Sequence, residues 1–459
     1  MERALIRVKA GESDRGDATA MWRYHPQLLE RPVPRYTSFP TAAEFDESVG
    51  PGDMAAALAA LPAEAPVSLY LHIPYCHQIC WYCGCNTGAA NRSARLSAYL
   101  QRLGQELDLV ADRLGARALS RVAFGGGSPN ALSPEQFDAL LARLRARFDL
   151  RRAELSVELD PRAFGWSWAA ALARAGVHRA SLGVQTFAPH VQAAIGRVQP
   201  VDMIACAVAQ LRLAGVSSLN FDLMYGLPGQ SLGDLDATLD QAIALGPDRL
   251  AVFGYAHVPH LLPRQRQIDA RALPDAAARF EMARFAHARL SAAGYVAIGF
   301  DHFAKPGDPL ARAAAGGTLA RNFQGFTDDP ARALIGLGAS AISGFPGALL
   351  QNEKNSGRYH LRIGQGQFAT ARGVRRSAAD RAVGNAIEAL LCQGSAELAG
   401  LPGLADARAA LTPFLAAGVA ALDGTRLSLT DDGLPYARAI AATLDPYRAT
   451  SAVRFSSAV

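Results

Sequence analysis

The chain has 459 residues, half of them hydrophobic, which suffices for one large domain with smaller appendages and excludes a disordered chain. Its net charge is +5, and the basic side is almost entirely arginine, with lysine confined to Lys9, Lys305 and Lys354. No basic run is dense enough to predict a nucleic-acid partner, and no apolar stretch approaches the length of a membrane span. Met1–Arg7 lacks the apolar core of a secretory leader, so a cytoplasmic protein is expected. Arginine pairs well with carboxylates and phosphates, which leaves a polyanionic substrate open beside a plain compositional bias.

Residues 1–55 read as an irregular arm, because Pro32, Pro34 and Pro40 interrupt any helix. From about residue 66, short apolar runs alternate with stretches of helical period. Strands are predicted at Val67–His72, Arg121–Phe124, Leu155–Leu159, Ala180–Val184, Ser218–Leu223 and Leu250–Phe253. Helices are predicted between them, among others at Arg95–Leu114, Pro134–Arg147, Val201–Ala214 and Leu232–Leu245. Six strands with crossover helices imply an α/β fold with a parallel sheet, curled or open. A further strand, Val296–Phe300, follows a helix over Asp275–Ala292. Residues 56–365 are thus expected to form the barrel with its covering extension. Residues 366–459 read as a smaller, mostly helical, winged-helix-like domain ending in the strand-like Leu427–Leu429.

The unusual residues cluster just after strands: four cysteines after the first, Gly125-Gly126-Gly127 after the second, Glu158 to Arg162 at the third. Gln185, Asp222 and Tyr255-Ala256-His257 follow the later ones. In a parallel β/α barrel those ends share one face, so these motifs are expected to converge on one cavity. Cys76, Cys80 and Cys83 place three thiols on one loop, a pattern suited to an iron–sulfur cluster; three ligands on a four-iron cubane leave one iron open. A zinc site completed by Cys85, His72 or His77 is the alternative, although Cys206 and Cys392 are isolated and no second ligand pair exists. Glycines after a strand let a ligand approach the backbone, and Glu158 offers a carboxylate at a strand end.

The stretch Tyr70-Leu71-His72-Ile73-Pro74-Tyr75-Cys76 through Cys80-Trp81-Tyr82-Cys83-Gly84-Cys85-Asn86 resembles the cluster loop of radical S-adenosylmethionine (SAM) enzymes. Within them it is similar to the oxygen-independent coproporphyrinogen III oxidases, from about Pro34 to Ser356 and more faintly beyond. The resemblance implies a partial (β/α)6 barrel, one [4Fe-4S] cluster on Cys76, Cys80 and Cys83, and SAM as cofactor. It also implies two SAM molecules. Tyr70, Gly126, Glu158 and Ile342 would contact the cluster-bound one, with Tyr82 against its adenine. Gly127, Ser128, Gln185, Arg197, Asp222 and Ala256 would contact the second. Ser128 stands where threonine is usual, and asparagine is more usual than Gly196 before Arg197.

The implied reaction is decarboxylation of two propionates of coproporphyrinogen III to vinyls, giving protoporphyrinogen IX, driven by a 5′-deoxyadenosyl radical. The implied assembly is a monomer served by an unidentified electron donor. The arm Pro34–Thr41 resembles one found in these oxidases, and Arg35 and Gln324 are the expected substrate contacts. No acid–base residue is expected. The pattern departs at Val383-Gly384, where paired arginines are expected, and returns in the tail Arg454–Val459. Haem-trafficking relatives share the loop without oxidase activity and are the alternative reading. They are expected to lack both the arm and Cys85, which this chain has.

Overall fold

Six apolar runs become the strands β1 (Val67–Ile73), β2 (Leu119–Gly126), β3 (Glu154–Leu159), β4 (Arg179–Gln185), β5 (Ser218–Tyr225) and β6 (Arg249–Gly254) of a computed structural model that describes residues 22–90 and 93–449. Between and after them run α1 (Ser93–Leu114), α2 (Pro134–Arg147), α3 (Trp166–Ala175), α4 (Val201–Leu213), α5 (Leu232–Leu245) and α6 (Ala276–Ala292). Local chemistry sets the helix starts: Ser133 and Gln136 cap α2 reciprocally, Ser231 and Asp234 do so for α5, and Asp275 caps α6. Met1–Arg7 and Arg454–Val459 lie outside the described residues.

β1 to β6 are parallel, each beside the next in chain order. Their register aligns the carboxyl ends: Ile73 pairs with Gly126, Leu159 with Leu182, Gln185 with Leu223 and Tyr225 with Gly254. β1 is buried throughout, whereas β3 and β5 alternate between buried and half-buried positions. One face packs on helices, and the other looks into the curled sheet. At the amino-terminal ends that interior is filled by ion pairs. Arg121 and Arg179 each reach Asp328, at 2.9 and 3.3 Å, and Arg249 reaches Asp308 at 2.7 Å.

The sheet is open and twelve-stranded, and its edges hold most of what the sequence pattern missed. β7 (Val296–Ile298) is the predicted seventh strand, but it pairs antiparallel with an unpredicted β8 (His302–Ala304), which joins β6. On the other edge β9 (Ala333–Leu337) runs parallel to β1. β10 (Ile342–Phe345), β11 (Ala348–Asn352) and β12 (Thr370–Arg375) follow it as an antiparallel meander. These strands are short and broken by Gly336, Gly338, Gly344 and Gly347, so no period-two run stands out. β12 carries the sheet past residue 366, where the C-terminal region was expected to begin.

Beyond α7 (Ser356–Gly364), the C-terminal region consists of α8 (Ala378–Gln393), α9 (Leu404–Ala416), α10 (Ala437–Ala442) and a three-stranded sheet with Arg426–Leu429 at its centre. The arm is not a loose surface loop. Trp22, Leu28, Leu29, Val33, Tyr36 and Phe39 share one apolar core with Val383, Leu390, Leu411, Tyr436 and Ile440. Tyr36 also donates from Oη to Asp445 at 3.0 Å. At Gly384, where an arginine was expected, a Cβ would stand 2.9 Å from the Arg376 guanidinium. The glycine leaves room for an arginine supplied from eight residues earlier.

Behind the β1 end lies a buried carboxylate. Glu106 on α1 accepts from the Gly338 N–H at 2.6 Å, Asn352 Nδ2 at 2.6 Å and Tyr359 Oη at 2.7 Å. Its neighbour Tyr99 donates to the His72 carbonyl at 2.7 Å. Burial raises the Glu106 carboxyl to about 7 against the pull of its three donors. Because every partner donates, Glu106→Gln turns an amide against a donor. The expected cost is about 1–3 kcal/mol, read as a lower thermal midpoint. An unchanged midpoint would contradict this role.

Candidate active site

The cysteine loop is fixed at both ends by strand pairing. Tyr75 and Cys76 pair parallel with Gly88 and Ala89, and the Gly127 and Ser128 N–H groups donate to the Ile73 and Tyr75 carbonyls, each at 2.8 Å. Midway, the Trp81 N–H donates to the Ile195 carbonyl at 3.1 Å. The Trp81 ring lies where a Gly196 Cβ would come within 2.8 Å of it, at φ +64°. Only glycine allows that approach. Gln265 Nε2 holds the Tyr82 carbonyl at 2.9 Å. The segments after β2, β4 and β6 therefore all grip one loop.

Each thiol has its own surroundings. Cys76 Sγ is 3.2 Å from Thr87 Oγ1, and burial pushes its pKa up to about 11. The Cys85 thiol hydrogen-bonds to Cys83 and lowers it to about 6 despite burial, while Cys85 itself is pushed well up. Cys80 accepts from both Arg162 Nη2 and Arg197 Nη1 at 3.2 Å. Asp160 bridges the two guanidinium groups, at 2.6 Å to Arg162 and 3.4 Å to Arg197. Burial opposes the Arg197 charge, but Tyr82, Asp160 and Cys80 outweigh it and raise the pKa. The donor set suits a thiolate-bound cluster: three thiols on one loop, two cations beside the most buried of them, and no carboxylate within the loop. Among the described residues no three His, Cys, Asp or Glu side chains are grouped as ligands of one ion. Thiolates that meet separate irons of a cubane stand further apart than ligands of one zinc.

The loop roofs a cavity of about 430 Å³ at the carboxyl ends of the strands. Of the residues singled out in the sequence, Arg35, Cys76, Cys80, Tyr82, Cys83, Gly126, Gly127, Glu158, Gln185, Arg197, Asp222 and Ala256 line it. A larger hollow of about 510 Å³ lies at the opposite strand ends, around Ala65 and Ser120, away from the thiols. Glu158 accepts from the Gly126 N–H at 3.1 Å. Burial raises its carboxyl to about 7, with the Gly126 bond opposing and nearby Asp222 adding to the rise. Asp222 accepts from Ser181 at 2.8 Å and Asn220 at 2.9 Å, and burial raises it too. Gly126 has φ +111°, and a Cβ there would meet the His72 ring at 2.6 Å. Gln185 adopts φ +66° beside a register shift in β4, an uncommon conformation that turns its side chain at the cavity wall.

Four expected residues stand outside the lining. Tyr70 is buried, 3.1 Å from His72 Nδ1 and edge-on to Phe323 at 4.8 Å. Ser128 donates from its hydroxyl to Asn130 and from its N–H to Tyr75, so it buttresses the loop and has no free donor for a cofactor. Ile342 lies half-buried on β10, and Gln324 is exposed at the tip of the Ala320–Thr327 hairpin. Conversely, Thr87 and Gln265 were not singled out, and Asp160 and Arg162, although inside the Glu158 to Arg162 stretch, were given no role of their own. Asp160 and Arg162 flank a proline at the predicted end of β3, a signal that could have found them. Gln265 follows an irregular stretch with no pattern to mark it.

The family model of the radical SAM superfamily matches residues 70–242. The oxygen-independent coproporphyrinogen III oxidase of Bradyrhizobium diazoefficiens is 43% identical over 428 residues, covering 91% of this chain and 95% of its own. That of Paracoccus denitrificans is 42% identical, covering 92% and 95%. Among solved structures, the Escherichia coli coproporphyrinogen III oxidase, a radical SAM enzyme, has a TM-score of 0.87 at 34% identity and covers 93% of this chain and 100% of that one. With such identity across nine-tenths of its length, and three cysteines poised over a strand-end cavity, the chain belongs to the oxygen-independent coproporphyrinogen III oxidase family of radical SAM enzymes.

Proposed function

We propose that this enzyme carries out the oxygen-independent oxidative decarboxylation of coproporphyrinogen III to protoporphyrinogen IX, in haem and porphyrin biosynthesis. The observation that carries this reading is the match, over more than nine-tenths of the chain, to relatives named for that activity. The same relatives favour the oxidase over the haem-trafficking alternative. Cys76, Cys80 and Cys83 would hold the [4Fe-4S] cluster. When bound, the cluster and SAM supply the one-electron chemistry that breaks a substrate C–H bond.

The protein's own part is to place, screen and exclude. Glu158 and the Gly126 backbone would face the cluster-bound SAM, with Tyr82 beside its adenine and Tyr70 and Ile342 behind. Gly127, Gln185, Arg197, Asp222 and Ala256 would serve a second SAM. Arg197 and Arg162 support the charge on Cys80, and the Cys85 hydrogen bond favours the Cys83 thiolate that metal binding requires. Arg35 at the rim would meet a substrate carboxylate; Gln324 at the hairpin tip would close over it. No side chain needs to take up a proton where the C–H bond breaks. Water exclusion then becomes the main demand on the cavity. We place the enzyme in the cytoplasm as a monomer served by a one-electron donor; among the described residues no helix is long and apolar enough to cross a membrane.

Anaerobic incubation with coproporphyrinogen III, SAM and a strong reductant should give the divinyl product and carbon dioxide. Cleavage of SAM with no vinyl product would contradict the substrate assignment. Equilibrium binding should count two SAM equivalents in the presence of substrate, and one equivalent would sink the second site. Glu158 is neutral below about pH 7 and anionic above it. SAM is cationic, so its affinity should rise from about pH 6 to about pH 8, and Glu158→Gln should flatten that rise. Affinity of the unaltered enzyme that ignores pH would contradict the assignment of Glu158.

A further inference from the structure

Among the described residues, Tyr36 is one of three other than glycine with a left-handed backbone, at φ +49°. A bulky residue seldom adopts this conformation, and it persists only where the surroundings hold it. Here the turn sends neighbouring side chains to different places. Tyr36 is buried in the core that the arm shares with the C-terminal region, and its Oη donates to Asp445 at 3.0 Å. Arg35 stays exposed and lines the cavity beside Phe253 and Tyr255. Its Nη2 donates to the Gly254 carbonyl at 3.1 Å, and its guanidinium lies 5.6 Å from the Phe253 ring centre. A guanidinium has several further N–H donors, and among the described residues that of Arg35 makes no other hydrogen bond and no ion pair.

The carbonyls of the same turn are held by Arg321, on the first strand of the Ala320–Thr327 hairpin. Its Nε donates to the Tyr36 carbonyl at 3.2 Å and its Nη2 to the Arg35 carbonyl at 3.3 Å. Its guanidinium carbon stands 4.3 Å from the Phe326 ring centre and 5.0 Å from that of Phe300, and Nη1 is buried without a hydrogen-bond partner. Asp301 is the carboxylate that most offsets its charge, but Asp301 bonds His302 at 2.6 Å and forms no ion pair with Arg321. Among the described residues, the two arm carbonyls are thus the only hydrogen-bond acceptors of this guanidinium. A planar fork that reaches two successive carbonyls fixes their direction as well as their distance. The Arg321 backbone N–H donates to Glu388 on α8 at 2.8 Å, so the clamp is itself anchored.

We propose that Arg321 and Tyr36 are positioning residues for Arg35: together they hold the left-handed turn from which its guanidinium reaches a carboxylate of the substrate. This rests on the oxidase reading above, in which Arg35 meets a propionate, and gives a role to two residues that the reading leaves without one. An arginine on an irregular arm has backbone and rotamer freedom to lose when a carboxylate binds. Fixing the backbone beneath it removes part of that loss before the ligand arrives. The hairpin that supplies the clamp also carries Gln324 at its tip, so the two expected substrate contacts are tied to each other through Arg321.

The test is a pair of double-mutant cycles on the anaerobically purified enzyme, read by fluorescence as binding of coproporphyrin III, a fluorescent tetracarboxylate that is not turned over. Its tetramethyl ester, which has the ring without the charges, is the control. Arg35→Gln should cost about 10-fold in tetracarboxylate affinity, and Arg321→Gln about 3-fold or more. Combined with Arg35→Gln, Arg321→Gln should cost nothing further, because it acts through Arg35. Tyr36→Phe removes one hydroxyl and keeps the ring in its core, so it folds even where Arg321→Gln does not, and it should show the same coupling at smaller size. Ester affinity should stay constant throughout. Full tetracarboxylate affinity in Arg321→Gln and Tyr36→Phe would overturn the proposal, as would losses that multiply with that of Arg35→Gln or that the ester shares. Turnover of coproporphyrinogen III by the unaltered enzyme separates this from the reading it rests on. Turnover without the coupling rejects the clamp alone, and coupling without turnover rejects the oxidase reading alone.

Discussion

To hold a cluster, three thiols within one eight-residue stretch would have to carry negative charge together at the end of a largely buried sheet, and the residues around them answer that requirement. Thiolates so close repel one another, and burial alone would protonate them, as the raised Cys76 pKa illustrates. The protein answers with positive charge brought from elsewhere. Arg162 follows β3 and Arg197 follows β4, yet both donate to Cys80, and Asp160 keeps the pair from repelling each other. A cation within hydrogen-bond distance of a buried sulfur is strongly coupled to it because little water intervenes to screen the pair.

That arrangement depends on the parallel sheet. Only when all six strands run the same way do the segments after β1, β2, β3, β4 and β6 arrive on one side, where each can hold part of the cysteine loop. Behind the loop, Glu106, Tyr99 and Tyr359 tie α1, β9, β11 and α7 to the end of β1, so the loop sits on a polar network that is satisfied at each carboxylate oxygen. In front of it the cavity opens toward Arg35 at the rim.

The central strands were legible in the sequence because each is a compact apolar run followed by a helix of clear period, and the predicted bounds of α2 and α5 match the structure. The site was legible to the extent that it follows strands: Gly126, Glu158, Gln185 and Asp222 could be placed on one face from topology alone. Tyr70 and Ser128 show the limit of that reasoning. Both sit in the right motif, but one faces His72 and the other gives its hydroxyl to Asn130 and its N–H to Tyr75, and spacing does not say which way a side chain turns. The β9–β12 edge and the arm's core were hidden for a different reason. Their strands are short and glycine-broken, and the arm's apolar residues, spaced irregularly among prolines, find their partners more than 200 residues away.

The most direct measurement is iron and acid-labile sulfide per chain in anaerobically purified enzyme and in Cys76→Ala, Cys80→Ala, Cys83→Ala and Cys85→Ala. The account predicts about four of each in the unaltered enzyme and in the Cys85 variant, with loss in the other three. Stoichiometric zinc without sulfide, or loss of iron from the Cys85 variant, would contradict it.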